Sequence, residues 1–116
     1  MTKKILVVDD EFDDLSSVKN ILTKEGYSVS TATNGAQAID MIAINRFDLI
    51  MLDIRMPTLS GYDILRLLKE RVNGGTKMIY VSIVPKLDVE MDGVEAFVQK
   101  PFSPETLIKE VKRVLK

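Results

Sequence analysis

Unbroken apolar runs alternate along this chain with stretches whose apolar residues recur every three or four positions. Ile5-Leu6-Val7-Val8 and Leu49-Ile50-Met51-Leu52 are continuous, as expected of strands covered by helices on both faces. After the first run, Leu15, Val18 and Leu22 recur at helical spacing and Gly26 marks the stop. Residues 27–32 read as a more polar second strand suited to a sheet edge, and Asn34 as the N-cap of a helix carrying Ala38, Ile39, Ile42 and Ala43. Ser60, with Asp63 three residues on, opens a helix in which Ile64, Leu67 and Leu68 face inward and Asn73-Gly74-Gly75 makes the end. Residues 78–81 and 94–98 are the remaining strands. Ser103-Pro104-Glu105 combines a capping hydroxyl, a first-turn proline and an acid, and starts a helix with a stripe of Leu107, Ile108, Val111, Val114 and Leu115.

Strand and helix alternate from end to end, which predicts a doubly wound α/β fold. The stretch from Ser82 to Gly93 fits least well. Pro85 near its front leaves room for two helical turns at most, so a short or distorted helix is expected there.

At 116 residues the chain is expected to be one domain, 1–116, with nothing further after Lys116. Apolar residues make up 46% and charged residues 28%, and the net charge of −1 is not gathered into blocks. No basic surface for nucleic acid or membrane is predicted. The chain has no Cys and no His. Thiolate chemistry, phosphohistidine carriage, Ser-His-Asp hydrolysis and His-ligated metals are therefore excluded, and Asp, Glu, Ser, Thr and Lys must carry any reaction. The apolar run before Asp9 is too short for a signal-peptide core, and no run approaches a membrane span. The cytoplasm is the default expectation.

Candidate chemistry sits where strands should end: Asp9-Asp10, Asp53, Ser82 and Lys100-Pro101. A parallel sheet gathers the carboxyl ends of its strands along one edge, where ligands bind. Clustered carboxylates repel one another unless a cation neutralises them, which points to a divalent ion. The lysine and the hydroxyl suit an anion. Aspartate can attack a phosphoryl group to give an acyl phosphate, and both Mg²⁺ and an ammonium reduce the repulsion that opposes it.

Four segments carry a resemblance: VVDDE at the first strand, LDIRMPTLSGYD around Asp53, YVS at Ser82, and GVEAFVQKPFSPETL toward the C-terminus. Together and in this order they resemble the receiver domain of two-component response regulators along the whole chain. The resemblance implies five parallel strands ordered 2-1-3-4-5, a flavodoxin-like arrangement, here with a shortened helix before the last strand. It implies Asp53 as phosphoacceptor. Mg²⁺ would be held by Asp10 directly, Asp9 mainly through water, Asp53, and the Arg55 backbone carbonyl. Lys100 would pair with the phosphoryl group, and its bond to Pro101 would be cis. Ser82 would be the switch hydroxyl and Phe97 the aromatic that turns inward behind it. The implied partners are a histidine kinase or phosphotransfer protein as donor and a downstream protein reached by docking, without direct nucleic acid binding. The domain would assist its own phosphorylation without being an enzyme on outside substrates.

Departures from the pattern also carry expectations. Ile83 stands where receivers commonly have Ala or Gly, which implies a longer-lived phosphorylated form. The stretch from Ser82 to Lys100 is about a helical turn shorter than usual, so the output surface must differ. A pseudo-receiver that binds without phosphorylation is one rival reading. A Mg²⁺-dependent phosphohydrolase is the other, but its pattern spaces two aspartates one residue apart and needs a cap that the chain lacks. The acidic loop after the first strand excludes a flavin phosphate cradle.

Overall fold

The computed structural model describes residues 2–72 and 74–116. In chain order the elements are β1 (Lys4–Val8), α1 (Phe12–Lys24), β2 (Ser28–Ala32), α2 (Gly35–Ile44), β3 (Leu49–Leu52), α3 (Gly61–Lys69), β4 (Lys77–Ser82), a 3₁₀ turn (Lys86–Asp88), β5 (Ala96–Gln99) and α4 (Pro104–Leu115). All strand pairs are parallel, and the sheet runs β2-β1-β3-β4-β5. This is the doubly wound fold that the alternating pattern predicts.

Alternation along each strand sends successive side chains to opposite faces, so two apolar layers form. Ile5, Val7, Met51, Ile79 and Val98 pack with Leu15, Val18 and Leu22 of α1 and with Leu107 and Val111 of α4. Leu6, Val8, Ile50, Leu52 and Tyr80 pack on the other face with Ala38 of α2 and Ile64, Leu65 and Leu68 of α3. Every residue of β3 is buried, whereas the edge strand β2 is mostly half-buried, as its polar composition requires.

The expected caps are formed. Asn34 Oδ1 accepts from the Gln37 N–H at 2.8 Å, Ser60 Oγ from Asp63 at 3.3 Å and Ser103 Oγ from Thr106 at 3.2 Å. Each satisfies one backbone donor that the first helical turn leaves without an internal partner.

Some expectations are corrected. Leu65 is buried where Leu67 was expected to be, with Leu67 half-buried, because the inward face of α3 is centred on Ile64, Leu65 and Leu68. Ala43 is exposed at the end of α2. The α3 helix ends at Lys69, with Glu70 as its C-cap, ahead of the predicted stop at 73–75. Asn73 lies outside the described residues.

The segment before β5 holds the short helix expected there, a single 3₁₀ turn. Pro85 caps a three-residue 3₁₀ turn, its carbonyl accepting from the Asp88 N–H at 2.8 Å. So short an element takes its order from packing. Val84, Val89 and Val94 lie against the second apolar layer, and Tyr62 Oη accepts from the Glu90 N–H at 3.1 Å. Gly93 returns the chain to the sheet at φ +86°, a conformation that side chains rarely adopt. Leu87 is left fully exposed.

Candidate functional site

The carboxyl edge of the sheet is built by carrying the strand ladder one residue past β1, β3 and β5. The Asp9 N–H donates to Ala32 O at 3.1 Å, Asp53 to Val8 O at 3.0 Å and Lys100 to Ser82 O at 2.9 Å. Backbone hydrogen bonds therefore fix the residues that the strand-end pattern singles out. Asp9, Asp53 and Lys100 are buried, at 4%, 7% and 9% exposure.

One local device repeats at three strand ends. Asp9 Oδ1 accepts from the N–H of Glu11 at 2.9 Å, Asp53 Oδ1 from Arg55 at 3.1 Å, and Ser82 Oγ from Val84 at 3.4 Å. Each side chain is held by the backbone two residues on, a turn that short polar side chains favour. In both aspartates this leaves Oδ2 free for Lys100.

Lys100 Nζ donates to Asp9 Oδ2 at 2.7 Å, Asp14 Oδ2 at 2.7 Å and Asp53 Oδ2 at 3.2 Å. Burial alone would lower the Lys100 ammonium, but the bonds to Asp14 and Asp9 and the charge of Asp53 outweigh it and hold the group above its ordinary value. Asp9 moves the other way. Burial, reinforced by the charge of Asp53, pushes its carboxyl up to about 6 against the pull of Lys100 and the Glu11 N–H. One ammonium does not neutralise this cluster.

One carboxylate oxygen from each of Asp9, Asp10 and Asp53 lies within 4.8 Å of the other two. Three hard oxygen donors with excess negative charge fit a small divalent cation such as Mg²⁺, which takes few protein ligands and keeps several waters. Asp10 is the exposed member, facing a hollow of about 420 Å³ lined by Gly35, Met56, Thr58 and Leu59 among others. Beyond Lys100 lies another hollow of about 390 Å³, with Asp14, Ser17, Ile83 and Phe102 in its walls.

The fold thus brings together Asp9, Asp10, Asp53 and Lys100. Arg55 sits two residues beyond Asp53 with its N–H on that carboxylate. Ser82 is fully buried at the end of β4. Phe97 lies beside Tyr80 in the β4–β5 register and is half-buried against the second apolar layer. The Lys100-Pro101 peptide is cis. Asp14 was not singled out from sequence. Its signal is positional: it directly precedes Leu15 and stands four residues before Val18, an acid at the margin of the core-facing stripe of α1, in the turn nearest Asp9-Asp10.

A five-stranded 2-1-3-4-5 parallel sheet with this acidic edge defines a CheY-like α/β domain. The chain belongs to the response regulator receiver domain family, whose model matches residues 5–112. It is 31% identical to sporulation initiation phosphotransferase F of Bacillus subtilis, covering 99% of this chain and 95% of that protein. It is 35% identical to the response regulator SaeR of Staphylococcus aureus, covering 96% of this chain but 50% of SaeR. Among solved structures, a CheY-like receiver domain from Methanospirillum hungatei superposes with a TM-score of 0.89 at 32% identity, covering 99% of this chain and 94% of that one. The response regulator TrrA of Thermotoga maritima, solved in complex with Mg²⁺-BeF, gives 0.88 at 31% identity, with 97% and 99% covered. Among the described residues no helix is long and apolar enough to cross a membrane.

Proposed function

We propose that this chain, as a single receiver domain spanning residues 1–116, takes a phosphoryl group onto Asp53 from a histidine kinase or phosphotransfer protein and switches a protein-docking surface. The observation that carries this reading is the convergence of Lys100 Nζ on Asp53 Oδ2 at 3.2 Å beside three mutually close carboxylates. In the transfer, an Asp53 carboxylate oxygen forms the new bond to phosphorus while the bond from phosphorus to the donor nitrogen breaks and its electrons leave with the imidazole. Asp9, Asp10, Asp53 and the Arg55 carbonyl would hold Mg²⁺, which when bound supplies neutralisation of charge on phosphoryl oxygens. Lys100 offers an ammonium to the same group. Ser82, buried at the end of β4, would be the switch hydroxyl, and Phe97, beside Tyr80 in the sheet, the aromatic that turns inward.

The modification adds negative charge and acceptor oxygens and biases an equilibrium the domain already has. The chain assists its own phosphorylation and dephosphorylation and does not act on outside substrates. Its output is docking on another protein.

The deciding experiment incubates the protein with Mg²⁺ and a small acyl phosphate donor and reads intact mass. One phosphoryl adduct in the wild type and none in Asp53→Asn is expected. No adduct in either would favour a pseudo-receiver, and released phosphate without an adduct would favour a phosphohydrolase.

Adduct lifetime follows from Ile83. This side chain is 52% exposed on the wall of the hollow beside Lys100, where it restricts the approach of water. Ile83→Ala should lose its phosphoryl group several-fold faster in a mass time course; an unchanged or slower loss removes Ile83 from the explanation.

A further inference from the structure

Lys100 has three N–H donors, as any ammonium does, and three carboxylates take them: Asp9, Asp14 and Asp53. No donor is left for an incoming anion, so one partner must yield. The three partners are not equivalent. The side chains of Asp9 and Asp53 are 6% and 8% exposed, while that of Asp14 is 38% exposed. Asp9 and Asp53 are each also held through Oδ1 by a backbone N–H. The Asp14 side chain has no other hydrogen bond among the described residues.

A partly exposed carboxylate regains water when it leaves its partner, so its ion pair is cheap to break. Asp9, which is buried, would be stranded, and Asp53 stays in the site as the group that the anion binds. Asp14 also borders the 390 Å³ hollow beside Lys100, which gives its side chain somewhere to go. Its lysine contact is shorter than that of the acceptor, 2.7 Å against 3.2 Å.

Building on the phosphoacceptor reading above, we propose that Asp14 is a positioning residue: it occupies one donor of Lys100 while Asp53 is bare, and an anion arriving at Asp53 displaces it. Asp14 is then an internal competitor that lowers the affinity of the site for the phosphoryl group. Its release also couples occupancy of the site to the first turn of α1, because the Lys100 contact ties a side chain of that turn to the site.

The test measures beryllofluoride affinity by calorimetry at saturating Mg²⁺ for wild type, Asp14→Asn, Asp14→Glu and Asp13→Asn. Competition predicts roughly fivefold tighter binding for Asp14→Asn, the size expected for releasing one partly exposed ion pair. Asp14→Glu should return toward wild type. Asp13→Asn removes the same charge one residue away on an exposed side chain that has no contact with Lys100, and should change affinity less than twofold, roughly. A purely structural role for Asp14 would give the opposite sign, with weaker binding and a lower melting temperature together. Unchanged or weaker binding in Asp14→Asn overturns the proposal and leaves the receiver reading intact, as does equal tightening by Asp13→Asn. No beryllofluoride binding by folded wild type removes both.

Discussion

Gly61→Ala is expected to destabilise the protein by about 3 kcal/mol and to damage the acceptor site at the same time. Gly61 is the first residue of α3, and its N–H donates to Ile54 O at 2.8 Å. A Cβ at this position would stand 2.4 Å from Asp53 O and 2.7 Å from Ile54 Cα. Both obstacles are backbone atoms, so no rotamer change relieves the clash. Either the start of α3 withdraws, opening the layer around Ile64 and Leu65, or the backbone at Asp53 moves and takes the acceptor carboxylate with it. Urea unfolding should show a lower midpoint at an unchanged slope, the signature of lost stability rather than an altered denatured state. Magnesium affinity should fall in the folded fraction. A loss below about 1 kcal/mol would mean that α3 slides without cost, against the close approach seen here.

Lys100→Met should separate the two ligands of the site by sign. The lysine supplies the only cation contacting Asp9 and Asp53 among the described residues. Without it the pocket holds more net negative charge, so a divalent cation should bind more tightly. A phosphoryl-like anion loses its ammonium donor, and a charged hydrogen bond is worth roughly 1.5–3 kcal/mol, or about ten- to a hundredfold in affinity. Calorimetry with Mg²⁺ alone, then with beryllofluoride at saturating Mg²⁺, reads both on one sample. A parallel loss of both affinities, with the variant folded, would show that the lysine organises the carboxylates rather than receiving the anion. Methionine keeps the length and apolar stem of the side chain, so the packing around it is largely preserved.

Much of this molecule is readable without coordinates because its signals are local. Ile5–Val8 and Leu49–Leu52 are apolar throughout, and only a strand covered on both faces tolerates that. Asn34, Ser60 and Ser103 announce helix starts within three residues of the N–H groups they cap. Once parallel strands are granted, the convergence of Asp9, Asp10, Asp53 and Lys100 follows, since their shared position at strand ends is set by topology.

Other features depend on distance in the chain and had no local signal. Lys100 lies 86 residues from Asp14; the place of Asp14 beside Leu15 puts it at the margin of the core but does not say that it meets the end of β5. The choice of Leu65 over Leu67 as the buried residue of α3 came from where that helix docks on Leu52 and Tyr80, because helical spacing alone leaves the centre of an apolar face uncertain by one position. The shortness of the helix before β5 was signalled by Pro85 and by length, but what holds it in place was not. A 3₁₀ turn tied to Tyr62 through Glu90 required two segments 28 residues apart to meet. Patterning along a chain names the elements and the edge where chemistry gathers; the pairing of side chains across that edge emerges only when packing brings distant segments within hydrogen-bond reach.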